Sequence, residues 1–413
     1  MPMPPKETLL LDLLLSLDGS IATHAMIEAT VWPRQQVSYA SLTRCVYSLR
    51  RILDEDDTIA IQTIPRKGYR LHVTSSGEAV TARQSDTNDR SPAARRAASH
   101  HLSGLQEAHS PVAQTLRNAL EEFELALQED PGYAPAYVGI AEVRMYQVLR
   151  GQVPATEGLN KGIEACKYAL HLQPESAPAL AVKAWFVGVM LGDNARARAL
   201  FRRAENLDPD HSRIYSYRSW HKRTLGDVTG MLRDAERARQ LQPRDLLNRH
   251  AHAWSLFLAG RAPEALALEV KLAAESPLDE VAHGYVALMA TYLERYEQAL
   301  TAAEKGMTLD GANPALHAIR AYMFARAGRN NAAQTALELA TGALGNTCSG
   351  ALIAPAQLAL GDHAAALRSL QAARDAGCPW FRAARLDPRL AVLARSGVMD
   401  YLYNQPPGYA ESS

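Results

Sequence analysis

Residues 41–51 carry side chains of the types that read duplex DNA. Thr43, Arg44, Tyr47, Ser48 and Arg51 recur at helical spacing, and Ser41 stands at the head of the run. Positions three and four apart share one face of a helix. An arginine on such a face can bond a guanine edge through two donors, and hydroxyls can reach phosphates. No acid interrupts the run before Asp54. A second cationic group follows in Pro65-Arg66-Lys67-Gly68, a turn between the β-prone stretches Thr58–Ile64 and Tyr69–Val73. Two cations at a hairpin tip beside a basic helix outline a winged helix-turn-helix.

The elements that must hold these groups are legible around them. Leu42, Cys45, Val46, Leu49, Ile52 and Leu53 repeat at three- and four-residue spacing and predict the buried face of a helix over about 40–53. Pro5–Leu17 reads as a first helix, ended by Asp18-Gly19-Ser20. Thr23 is placed to cap a second helix that runs to Val31 and closes at Trp32-Pro33. Residues 1–73 hold eight basic and eight acidic side chains, yet six of the cations fall in the third helix and the hairpin. The unit is therefore expected to be dipolar, with one basic face turned to a polyanion. The whole chain gives no such signal, because its 413 residues carry 44 basic and 44 acidic groups.

Seven leucines between Leu9 and Leu17 imitate a signal peptide, but Asp12 breaks the run and Glu7 precedes it. The run is also well short of the ~20 apolar residues that span a bilayer. A cytoplasmic protein with no membrane partner is expected.

Beyond position 73 the texture changes. Residues 74–110 are rich in Ser, Ala, Thr, Arg and Asp and read as a flexible linker. Residues 111–400 are alanine-rich and repeat, and 401–413 read as a tail. Pro131, Pro174, Pro209, Pro243 and Pro277 are separated by 43, 35, 34 and 34 residues, and Gly311 follows 34 later. Gly192, Gly226 and Gly260 are 34 apart, Gly328 lies 68 further on, and Gly361 follows after 33. Glu294 stands where the skipped glycine would be. A 34-residue helix–turn–helix period is that of the tetratricopeptide repeat, and five to seven units fit. The expected fold is mainly α: a small winged helix followed by an α-solenoid. The concave side of such a solenoid suits a protein or peptide partner, with homo-oligomerisation as its other use.

Little else points to chemistry. Cys45, Cys166, Cys348 and Cys378 form no CxxC unit and are expected to be reduced thiols used in packing. His100, His101 and His109 lack the Cys or carboxylate cage of a metal site. No phosphate-binding glycine loop, GxSxG or HExxH occurs, so no catalytic residue, cofactor or metal is expected, and an enzyme is not expected.

The motifs Val31-Trp32, Leu49-Arg50-Arg51-Ile52-Leu53 and Gly68-Tyr69-Arg70 resemble the winged-helix DNA-binding domain of OmpR/PhoB-type response regulators. Ser41 through Leu53, with Pro4-Pro5-Lys6-Glu7 upstream, is similar to the HilA-like transcriptional regulator family, which joins this domain to tetratricopeptide-like repeats. The resemblance is close over 4–73 and loose beyond. It implies an activator of virulence and type III secretion genes that binds promoter DNA, with RNA polymerase as a second partner. It places DNA contacts on Ser41, Arg44, Tyr47, Ser48, Arg50 and Arg51 and, in the wing, on Thr63, Arg66, Lys67 and Tyr69. Of these, Arg50 reads as a phosphate clamp, and Tyr69 serves the core as much as the DNA. The family sets a small β-sheet before the first helix, whereas this chain starts at that helix. Either the start is truncated or the domain lacks that layer. No receiver domain is expected before the winged helix either. The missing sheet motivates a second reading, an interaction scaffold whose winged helix is degenerate.

Overall fold

A computed structural model describes residues 5–17, 22–32, 39–53, 59–64, 68–73, 92–108, 113–344 and 350–404. The chain divides into two compact units, Met1–Asp89 and Arg90–Ser413.

The first unit contains α1 (Pro5–Ser16), β1 (Ala22–Thr23), α2 (His24–Val31), α3 (Tyr39–Leu53), β2 (Ile59–Ile64) and β3 (Gly68–Val73). The Thr23 hydroxyl accepts the Met26 amide at 3.3 Å and caps α2. Leu42, Cys45, Val46 and Leu49 are buried, as their spacing requires, and they meet Leu10, Leu14, Ile27 and Leu71 in one core. Leu9 and Leu15 on the far side of α1 remain exposed.

The sheet order is β1-β3-β2, antiparallel throughout. Its first strand is too short to leave a periodic signal in the sequence. Gly68 makes that strand's approach possible. Its φ is +146°, and a Cβ there would stand 1.9 Å from the Ala22 carbonyl oxygen. Gly68→Ala is therefore expected to strip β1 from the sheet and destabilise the unit by about 2–4 kcal/mol. Amide exchange of residues 22–23 and 68–73 reads this directly, and unchanged protection would show that the β1–β3 pairing does not need glycine.

The second unit is a solenoid of helical hairpins. The described pairs are α4 (Pro92–Ala108) with α5 (Ala113–Glu129), α6 (Ala134–Leu149) with α7 (Ala155–Leu172), and α8 (Ala177–Trp185) with α9 (Asn194–Leu207). They continue as α10 (Ser212–Leu225) with α11 (Val228–Leu241), α12 (Leu246–Leu258) with α13 (Ala262–Glu275), and α14 (Glu280–Tyr292) with α15 (Tyr296–Leu309). The last are α16 (Pro314–Arg326) with α17 (Asn330–Leu344) and α18 (Gly350–Ala359) with α19 (His363–Asp375). Short helices α20 (Pro379–Ala383), α21 (Ala391–Arg395) and α22 (Val398–Asn404) follow.

Four expectations differ from the structure. Residues 92–108 are not linker: they form α4, where Ala97 is fully buried and the His101 ring lies 5.4 Å from Phe123. Alanines separated by polar residues look like linker, but at helical spacing they let α4 approach α5 closely. This adds a hairpin, so the described residues hold eight pairs rather than five to seven. Positions 74–91 lie outside the described residues. The tail starts later than 401, because α22 reaches Asn404 and Leu402 is buried. Cys378 is disulfide-bonded rather than a free thiol, and Cys348 lies outside the described residues. Cysteine spacing along the chain carries no distance once helices fold back on one another. Cys45 and Cys166 are free and buried, and burial pushes their thiols up to about 11 and about 12.

The repeat marker has a plain physical basis. Gly192, Gly226 and Gly361 adopt left-handed φ of 76°, 75° and 84° and end one helix. The aspartate that follows each caps the next: Asp193, Asp227 and Asp362 accept the amides of Arg196, Gly230 and Ala365. Glu294 takes the same left-handed turn at φ 61° with a side chain in place. Glu294→Gly should relieve that strain and raise stability by about 0.5–1 kcal/mol in thermal melts, after loss of the exposed Arg326 pair. A lower melting temperature would contradict this.

Candidate nucleic-acid interface

Helix α3 is held by its buried face, so its register fixes the opposite one. Residues 44, 47, 48 and 51 occupy helix positions away from Leu42, Cys45, Val46 and Leu49. Ser48 is half-buried. The side chains of Ser41, Thr43, Arg44, Tyr47 and Arg51 lie outside the described residues. Thr63 sits on β2 opposite Tyr69, again without a described side chain, and Arg66 and Lys67 lie outside the described residues.

Two of the assigned residues have described partners within the first unit. Arg50 Nε and Nη2 donate to the Ile61 carbonyl at 3.1 and 2.9 Å, and its guanidinium lies 5.9 Å from the Tyr69 ring centroid. Arg50 thus ties the hairpin to α3. A guanidinium can reach a neighbouring strand across a short connection, which helix periodicity alone does not reveal. Tyr69 is only 3% exposed and stands edge-on to His24 at 5.7 Å. It belongs to the core. Its aromatic ring on the inner side of a three-stranded sheet is where the alternation along β3 puts it.

The inner face of the solenoid is also built. The first helices of successive pairs line it, and the chain's own segment 378–390 crosses it. Trp380 Nε1 donates to the Leu149 carbonyl at 2.7 Å, and its ring lies 5.0 Å from Trp220. Further along, Arg389 stacks on Trp254 and Tyr322 at 5.8 and 5.5 Å and pairs with Asp387 at 2.7 Å. The concave groove expected for a peptide partner thus already contains part of this chain.

Winged helix-turn-helix geometry defines the first unit, and tetratricopeptide-like hairpins define the second. Residues 1–71 match the family model "Transcriptional regulatory protein, C terminal". The transcriptional regulator HilA of Salmonella typhimurium is 42% identical over 71 residues, which are 17% of this chain and 13% of that protein. HilA of Salmonella typhi gives the same 42% over 71 residues. The chain thus covers 13% of the length of these curated relatives. Among solved structures, a tetratricopeptide repeat protein from Parabacteroides merdae covers 59% of this chain and 93% of its own at 17% identity and TM-score 0.39. Pseudomonas aeruginosa pilF covers 51% of this chain and 90% of its own at 14% identity and TM-score 0.38.

Proposed function

We propose that this protein is a sequence-specific, double-stranded DNA-binding transcription regulator. The observation that carries this reading is the match of residues 1–71 to a transcriptional-regulator domain, on a winged helix whose α3 turns a non-core face outward. Ser41, Thr43, Arg44, Tyr47, Ser48 and Arg51 form the reading helix in this proposal. Thr63, Arg66 and Lys67 form the wing, and Arg50 positions the wing on the helix. The likeness to HilA favours an activator of virulence and type III secretion genes in the cytoplasm, acting with RNA polymerase. The repeat unit would then receive a protein partner or self-associate. Because segment 378–390 occupies the inner face, that partner would use the outer face or displace the segment. No helix among the described residues is long and apolar enough to cross a membrane.

The test is genome-wide chromatin binding of the full chain beside its Arg44→Ala variant. Discrete promoter sites that vanish in the variant are expected. Sites absent from both, with peptide binding retained, would favour the scaffold reading.

A further inference from the structure

The segment that crosses the inner face leaves a cavity of about 810 Å³ walled entirely by the second unit. Such a volume lies in the range of small-molecule sites. At one part of its wall stand Trp185, Trp220, Arg223 and Trp380. Arg223 is 4% exposed, and its guanidinium lies 3.3 Å from the Trp220 ring centroid and 5.5 Å from that of Trp380. Its Nε and Nη2 are buried and have no hydrogen-bond partner. Trp185 is fully buried, its ring 6.1 Å from Trp220, and its indole N–H is likewise without a partner.

Buried donors are ordinarily paired, and a buried guanidinium without an acceptor is the costliest exception. Asp387, the acid whose charge acts on Arg223, does not fill the role. Asp387 is engaged by Arg389 through both oxygens, and Asp279 by His250. Burial pushes Arg223 down to about 9, which is what an uncompensated cation in an apolar wall should show. What is missing is an acceptor, preferably a negative one, attached to a body that can fill an aromatic-lined space.

We propose that this cavity binds a small amphipathic carboxylate, its anionic head on Arg223 and its apolar body against Trp220 and Trp380. A planar carboxylate matches the charge and shape of a guanidinium. Trp380 comes from the crossing segment, so the ligand would also fasten that segment to the inner face. The site is independent of whether the first unit binds DNA.

The experiment uses the full chain with phenylacetate, phenylpropionate and phenylvalerate, each beside the alcohol of the same skeleton. Titration calorimetry and tryptophan fluorescence give the affinities. At least one carboxylate should bind about tenfold or more tightly than its alcohol, as a charge-assisted contact implies. Arg223→Met should abolish that preference while Arg223→Lys retains part of it. Should Arg223→Met fail to fold, Trp380→Leu keeps the test alive: it removes a ring on which the apolar body rests and should weaken acid and alcohol alike. Equal affinity for acid and alcohol, no binding of any acid at millimolar concentration, or unchanged carboxylate affinity in both folded variants would overturn the proposal.

Discussion

His250→Leu is expected to destabilise the repeat unit by about 3–5 kcal/mol, because it leaves two buried carboxylates without their cation. His250 on α12 donates from Nδ1 to Glu269 at 3.0 Å and from Nε2 to Asp279 at 2.9 Å. The three side chains are 9%, 0% and 4% exposed. Asp279 also accepts the amides of Val281 and Ala282, capping α14, so one imidazolium ties three successive helices together. Burial alone would lower the His250 pKa, but the two carboxylates outweigh it and hold it at about 10. The sign of the pH dependence follows. The folded value lies above the ordinary 6.5, so the contribution is full below 6.5 and is lost as pH rises toward about 10. Asp279 is held below its ordinary 3.8 by the same histidine against its own burial, so its share is lost as pH falls below that value. Urea titrations from pH 6 to 10 should therefore show a decline in the native chain that His250→Leu largely removes. Parallel declines in both proteins would place the pH dependence elsewhere.

The second large effect is expected at Asp387. Its carboxylate takes Arg389 Nε at 3.0 Å and Nη2 at 2.7 Å, with side chains 7% and 6% exposed. It also accepts the Arg389 amide at 2.9 Å. Asp387→Ala leaves the Arg389 guanidinium buried between Trp254 and Tyr322 with no anion, at a cost of about 3–5 kcal/mol. The cheapest relaxation is for segment 378–390 to leave the inner face. Limited proteolysis should then cut after Arg382 or Arg385, and Trp380 fluorescence should shift toward that of a solvated indole. The double replacement Asp387→Leu with Arg389→Leu should recover most of the loss, since apolar side chains of similar volume are tolerated where an ion pair is buried. Native-like resistance to protease in Asp387→Ala would show that the pair does not fasten the segment.

Local periodicity explains what the sequence made legible. The core face of α3, the Thr23 cap and the hairpin follow from neighbours three, four or two places apart. The solenoid follows from a turn chemistry, glycine then aspartate, that recurs once per repeat. A further recurring device was present and easy to miss. At Pro131, Pro209, Pro277 and Gly311 the residue six places on (Tyr137, Tyr215, His283, His317) donates back to that carbonyl. What the sequence hid depends on contacts far along the chain. Trp380 reaches Leu149 across 231 positions, and Arg50 meets a strand whose register no helix pattern predicts. Alanine-rich residues 92–108 were hidden for another reason, since close helix packing needs small side chains and small side chains resemble linker. Beside the candidate interface, the core face of α3, with Leu42, Cys45, Val46 and Leu49, was legible from spacing. The inward turn of Tyr69 and the tie from Arg50 to the hairpin appeared only with the sheet in place.

In the proposed function, α3 and the wing recognise DNA by different means, one through base edges and the other through phosphate charge. The most direct measurement of this is the affinity of the full chain for a recovered promoter duplex and a shuffled duplex across a range of salt. Arg44→Ala should lose roughly 1–3 kcal/mol on the promoter and little on the shuffled duplex. Lys67→Ala should weaken both equally and reduce the salt slope by about one. If neither variant changes binding to either duplex, the DNA-reading face assigned to α3 and the wing is wrong.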